Sequence, residues 1–276
     1  MPEKIVIEPC LLHGEKDLSN ETSIYKYLST ESFLYLTTFH RLIYSRINSW
    51  PDSFEGYRFE FLQRIETDPE FKTKTKNDFY GSCWSLQTDD ICLYDEQKDY
   101  ETAIEELERT GSAAMWESYC KNGGVRIKTS IGKLNSLFER QLSDCRIFRG
   151  NVYYEPAEIW SKTLKTPNLI STLFHKRIPF RYESEYRYIL VVDKPIDKRL
   201  IYAVIDDLYD FIDEILISPA TQQNKWISRT LCNIGIGISI NTHRDTNVNI
   251  KNGNQFCRVS GLYSKISSEI GHFDMS

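Results

Sequence analysis

Glu183 and Glu185 stand two residues apart in the stretch FRYESEYRYILVV, Phe180–Val192. At a spacing of i and i+2, on a strand or the loop leading into it, the two carboxylates point to the same side. Like charges held that close shift each other's pKa or require a cation nearby. Lys176, Arg181 and Arg187 flank the pair and are the candidates for that cation. Such a constellation suggests a site without naming its reaction. The same residues also read as a polar strand face tied by ion pairs, and the spacing leaves both readings open.

Several elements must position these groups. Tyr188-Ile189-Leu190-Val191-Val192 is a nearly continuous apolar run, as a buried strand should be. A helix is predicted over Ser161–Arg177, delivering Lys176 to the pair. Upstream, Ile24–Leu28 alternates as a strand, with Tyr25 and Tyr27 on one side and Lys26 on the other. Ser29 or Thr30 caps a predicted helix that runs to Phe39. Arg41–Arg46 reads as a strand. The proline- and glycine-punctuated Ile47–Gly56 is a turn or the wall of a pocket. Tyr57–Ile65 has helical spacing. Phe79–Leu86 is a strand carrying Ser82, Trp84 and Ser85, small hydroxyls beside an indole, which suits a ligand-facing or a core strand equally. Helices are predicted over Asp99–Arg109 and over Ala113–Cys120, the latter with Met115, Trp116 and Tyr119 on one side. Val125–Lys128, Cys145–Tyr154, Leu200–Ile205, Phe211–Ser218, Ile236–Ile240 and Gln255–Tyr263 read as strands, and Ile131–Leu142 and Thr221–Asn233 as helices.

This interleaving predicts an α+β class: a single domain over residues 24–266, with a mixed, mostly antiparallel sheet and flanking helices. Residues 1–23 form an N-terminal arm and residues 267–276 a loose tail. A net charge of −5, from 34 basic and 39 acidic residues, disfavours broad nonspecific duplex binding. No run of about 18 apolar residues occurs, so no membrane span is expected, and the N-terminus lacks a signal-peptide pattern. The seven cysteines form no CxxC pair and the five histidines no HxxxH or HExxH, which leaves no metal signature. A reducing cytoplasm suits them.

Taken in order, YKYLS at Tyr25–Ser29, INSWPDSFEG at Ile47–Gly56, SCWS at Ser82–Ser85, MWESYCKNGGVRI at Met115–Ile127, NVYYE at Asn151–Glu155, HKRIPFRYESEYRYI at His175–Ile189 and EILISPAT at Glu214–Thr221 resemble the bacterial domain-of-unknown-function 2971 family. The resemblance spans roughly residues 24–262. The loop departs from the family's usual Asn-Asp-Pro before its Phe-Glu.

The order strand–helix–strand, serine-bearing strand and late Glu-x-Glu is also similar to ADP-ribosyltransferases. That resemblance implies an ADP-ribosyltransferase-like fold and NAD as substrate. It makes Glu185 the catalytic carboxylate, stabilising the oxocarbenium-like transition state, with Glu183 near the acceptor. Tyr25, Lys26 and Tyr27 take the first-strand role and Ser82 or Ser85 that of the supporting serine. The arginine or histidine common on that strand is absent, leaving Lys26 or a tyrosine in its place. Trp84 and Tyr119 join Tyr25 and Tyr27 as candidates to stack on a ring, and Lys176 and Arg187 to hold the pyrophosphate. The acceptor is a nucleic acid or a protein. The setting implied is toxin or antiviral activity in a bacterial cytoplasm, with a neutralising or regulatory protein as a further partner. Two alternatives stay open: a magnesium-dependent nuclease using Glu183, Glu185 and Lys176, and a noncatalytic sensor or partner-binding protein.

Overall fold

The computed structural model describes residues 7–12, 16–52, 54–56, 59–66, 68–86, 97–141, 145–156, 169–193, 197–220, 250–251, 254–255 and 257–259. The expectations for Thr221–Asn233, Ile236–Ile240, residues 267–276 and most of Gln255–Tyr263 lie outside these residues.

Among the described residues the first half of the chain gives β1 (Ile7–Pro9), β2 (Ser23–Ser29), α1 (Thr30–Phe39), β3 (Arg41–Arg46), α2 (Phe59–Ile65), α3 (Pro69–Lys72), β4 (Phe79–Ser85), α4 (Gln97–Thr110), α5 (Ala113–Tyr119), β5 (Gly124–Ser130) and α6 (Ile131–Gln141). The second half adds β6 (Cys145–Asn151), β7 (Tyr153–Tyr154), β8 (His175–Lys176), β9 (Glu185–Val192), β10 (Leu200–Val204), β11 (Glu214–Ile217), β12 (Ile250–Lys251), β13 (Asn254–Gln255) and β14 (Cys257–Val259). The class is α+β with a mixed sheet.

The main sheet runs β1-β6-β9-β4-β2-β5-β11-β14, with β3 added to β4 and β10 to β3. Its pairings are antiparallel except β1 on β6 and β11 on β14. β4 and β9 pair in full, from Phe79 with Val191 to Ser85 with Glu185. On its other edge β4 is shared. Ser45 and Arg46 of β3 pair with Gly81 and Tyr80, whereas β2 meets it only where Tyr25 faces Ser85. The sheet therefore forks between β2 and β4.

Strand β9 is buried along its whole length, and its two faces enter different cores. Tyr186, Tyr188, Leu190 and Val192 join the larger one, packed with Ile24, Tyr44, Trp84 and the apolar stripe of α6, namely Ile131, Leu134, Leu137 and Phe138. Ile189 and Val191 join a second core with Phe59, Phe79, Leu173 and Phe174. Alternation puts Glu185 and Arg187 on this second side. Ser29 caps α1 by accepting from the Ser32 amide at 3.3 Å.

Two stretches differ from expectation: Phe211 ends a short helix, Leu208–Phe211, ahead of β11, and the stretch before Lys176 is not the predicted helix. The described part of the predicted helix Ser161–Arg177 is a 3₁₀ turn, Ser171–Phe174, followed by β8. Leu169, Ile170, Leu173 and Phe174 have helical spacing, yet all four are buried, so packing on the sheet overrides the periodicity.

Candidate functional site

β8 lies parallel to β7, with Tyr154 paired to Lys176. It sets the Lys176 ammonium among three carboxylates. Its Nζ donates to Glu183 Oε2 at 2.5 Å and to Glu185 Oε2 at 3.3 Å, and stands 3.1 Å from Glu55 Oε1. A 3₁₀ turn, Ile178–Glu183, carries Glu183, and Ser184 then takes a left-handed conformation at φ +42° before β9 begins. A non-glycine residue in that region stores strain of about 1–3 kcal/mol. The twist lets both glutamates reach one lysine. The same-side expectation for the pair holds, and the carboxylates meet at a turn rather than along one strand.

Arg187 stands behind Glu185. Its Nε and Nη2 donate to the two Glu185 oxygens at 2.7 and 2.9 Å, Nη1 donates to the Leu173 carbonyl, and Nη2 lies 3.5 Å from Glu55. Its guanidinium also stacks on Trp50, 4.5 Å from the ring centre. Fully buried, Arg187 is a positioning residue for Glu185 and does not reach the cleft. It is therefore not placed to make the expected contact with a pyrophosphate in the cleft. Lys176, too, stands behind the carboxylates rather than on the cleft wall.

The loop before α2 supplies Glu55 and Trp50, neither of which stands out in the sequence as a site residue. Trp50 packs against Gly81, where a Cβ would stand 2.1 Å from its Cζ2, and its Nε1 donates to Ser45 Oγ at 2.9 Å. Asp52 receives Arg177 Nη2 at 2.9 Å, which ties the loop to the residue after Lys176. The proline and glycine of INSWPDSFEG signal the turn or wall here without marking Trp50 or Glu55.

Burial and charge separate the three carboxylates. Burial alone would raise Glu185, but Arg187 and Lys176 outweigh it and hold the carboxyl well below the usual range. Burial and the Glu185 charge raise Glu183, against the pull of Lys176 and of the Tyr119 hydroxyl, which donates to Glu183 Oε1 at 2.9 Å. Burial also raises Glu55, even with Arg187 beside it.

A cleft of about 210 Å³ opens at the sheet fork, in front of Glu183 and Glu185. Tyr25, Lys26, Tyr27, Trp84, Ser85 and Tyr119 line it with those two glutamates, and Cys83 and Met115 complete the wall. Eight of the twelve site residues singled out from sequence thus share one cleft. Ser82 lies just off it, accepting from Lys26 Nζ at 3.4 Å. The outer wall is fixed by α4 and α5. The Tyr25 hydroxyl donates to Glu108 at 2.7 Å, and the Tyr27 hydroxyl accepts from the Ser112 amide at 2.9 Å. Gly111, at φ +73°, turns the chain between these helices directly under the Trp116 indole. The cleft's size suits a small ring-bearing molecule.

Among the described residues no group of three His, Cys, Asp or Glu side chains is arranged to hold a metal ion, and no helix is long and apolar enough to cross a membrane. No protein-family model, curated protein or solved structure matches the chain.

Proposed function

We propose that this chain is an NAD-consuming ADP-ribosyltransferase of the domain-of-unknown-function 2971 family, acting in toxin or antiviral defence in a bacterial cytoplasm. One observation carries the reading: two carboxylates on one cleft wall, Glu185 kept ionised and Glu183 raised toward taking up a proton. Environments that push paired carboxylates apart assign an electrostatic role to one and a proton-transfer role to the other. The opened ladder between β2 and β4, beside the late Glu-x-Glu, supports an ADP-ribosyltransferase-like fold.

In this reading the nicotinamide end of NAD enters the fork. Tyr27, Trp84 and Tyr119 flank the ring, and Lys26 offers N–H donors from the first strand. The bond from C1′ to the pyridinium nitrogen breaks, and its electron pair leaves with nicotinamide. Positive charge develops on the ribose, as in glycoside cleavage. Glu185 faces that charge from a site shielded from water, where a fixed carboxylate acts strongly. Glu183 accepts the proton of the acceptor's attacking group as its bond to C1′ forms.

The test is transfer of label from adenine-labelled NAD to components of a bacterial lysate, followed by nuclease or protease digestion. Label that enters nucleic acid or protein and depends on the chain supports the reading. No transfer and no NAD cleavage overturns it.

A second reading has its own observation. Arg187 and Lys176 occupy the Glu185 oxygens, which suits a noncatalytic cleft that binds a ligand and uses the ion pairs as scaffold. Saturable NAD binding without turnover would select it.

A further inference from the structure

Among the described residues Lys74 and Lys176 are buried and Lys26 is half-buried, and their partners differ. Lys176 is surrounded by Glu55, Glu183 and Glu185, which hold it as an ammonium. Lys74 donates to the main-chain carbonyls of Val192 and Asp193, at 2.6 and 2.9 Å, away from the cleft. Lys26 lines the cleft, and among the described residues its direct contacts are neutral. Its Nζ donates to the Cys83 carbonyl at 2.8 Å and to Ser82 Oγ at 3.4 Å, and lies 5.2 Å from the centre of the Trp84 ring. Among the described residues no carboxylate comes within ion-pair distance of it.

The fork explains this geometry. Where β2 leaves β4 after Tyr25 and Ser85, the Cys83 carbonyl lacks a partner from β2, and the Lys26 amine reaches across to it. The amine sits at an opening between two strands, half-buried, with aromatic walls on either side. Desolvation lowers its affinity for a proton, more than the nearby Glu185 charge raises it. A lysine of this kind spends more time as a neutral amine, the nucleophilic form.

We propose that Lys26 is a nucleophilic amine that condenses with an aldehyde of aromatic-ring size in the cleft, forming a Schiff base. The nitrogen lone pair attacks the carbonyl carbon, and an N–H proton moves to the carbonyl oxygen, giving a carbinolamine. That oxygen then leaves as water with the second N–H proton as the C=N bond forms. No oxidant or reductant enters. The ligand class is a small aromatic or heteroaromatic aldehyde, which the Tyr27, Trp84 and Tyr119 rings would flank. The inference does not depend on NAD cleavage.

The test is labelling of the intact protein with pyridine-3-carboxaldehyde and sodium cyanoborohydride, which reduces the imine to a stable amine, followed by peptide mass mapping. Lys121, with a side chain 73% exposed, is the internal reference. At pH 7 an ordinary exposed lysine is neutral in roughly one molecule in a few thousand. Lys26 is expected to label at pH 7 roughly tenfold faster than Lys121, with saturation in aldehyde. The advantage narrows at pH 10, where exposed lysines also lose their protons and the cleft's other ionisable groups facing Lys26 are Glu183, Glu185, Cys83 and the tyrosines 25, 27 and 119. Lys26→Arg removes the fast saturable phase and leaves Lys121 labelling unchanged. Equal rates at the two lysines, labelling of Lys121 alone, or a fast phase that survives in Lys26→Arg overturns the proposal. The rate comparison uses the unaltered protein, so it stands even if the variant folds poorly.

Discussion

Arg187 grips Glu185 with two hydrogen bonds, Nε to Oε1 at 2.7 Å and Nη2 to Oε2 at 2.9 Å, from two residues further along the same face of β9. Both side chains are almost wholly buried. The pair fixes the orientation and the charge of the carboxylate that borders the cleft.

Breaking that pair from one side leaves a buried charge without its main partner. Arg187→Met is therefore expected to lower the unfolding free energy by about 3–5 kcal/mol. Urea unfolding followed by circular dichroism measures it. A loss below about 1 kcal/mol, the scale of exposed pairs, would show that the interaction is not the buried one described.

Glu183 and Glu55 are raised in the folded protein. For a group with a raised folded pKa, its stabilising contribution is complete below the unfolded value, near 4.5, and is lost as pH rises through the folded value. Deprotonation of Glu183 therefore opposes folding at neutral pH. Glu183→Gln is expected to be neutral or stabilising at pH 7, and the difference from the unaltered protein should fade near pH 4. Glu185 has the opposite sign. Its contribution is present above the ordinary carboxylate range and is lost only as pH falls through its depressed value. Melting temperatures at the two pH values decide this. A Glu183→Gln variant clearly less stable at pH 7 would contradict the assignment.

Gly81 is the floor on which Trp50 lies, and Trp50 supports Arg187 in turn. Gly81→Ala would push a methyl group into the indole. The expected cost is about 1–3 kcal/mol, as for other overpacked sites, together with a change in tryptophan fluorescence as the ring leaves the guanidinium. Thermal unfolding and emission spectra check both. An unchanged spectrum and melting temperature would mean that the loop does not rest on β4.

Much of this arrangement was legible in the sequence. The run from Tyr188 to Val192 announced a buried strand, and Arg41–Arg46 falls on the strand expected there. The two glutamates, Tyr25, Lys26, Tyr27 and Trp84 meet in space because their strands are neighbours near the fork. The different destinations of the two faces of β9 were hidden, since a strand buried on both sides shows no polar alternation. Glu55 was hidden for another reason. Its partners Lys176 and Arg187 lie far along the chain, and a glutamate in a turn looks solvated until the turn folds onto them. The stretch before Lys176 misled because four apolar residues at helical spacing serve a buried 3₁₀ turn equally well.

In the proposed reaction Glu185 acts on the nicotinamide–ribose bond. The direct measurement is nicotinamide release from NAD by the purified protein, compared with Glu185→Gln at pH 7, with a lysate present as acceptor. Removal of a principal electrostatic group costs on the order of 10²–10³ in rate, so the unaltered protein is expected to release nicotinamide and the variant to do so slower by that factor. Release that is equally fast in the Glu185→Gln variant, once that variant is shown to be folded, would contradict it.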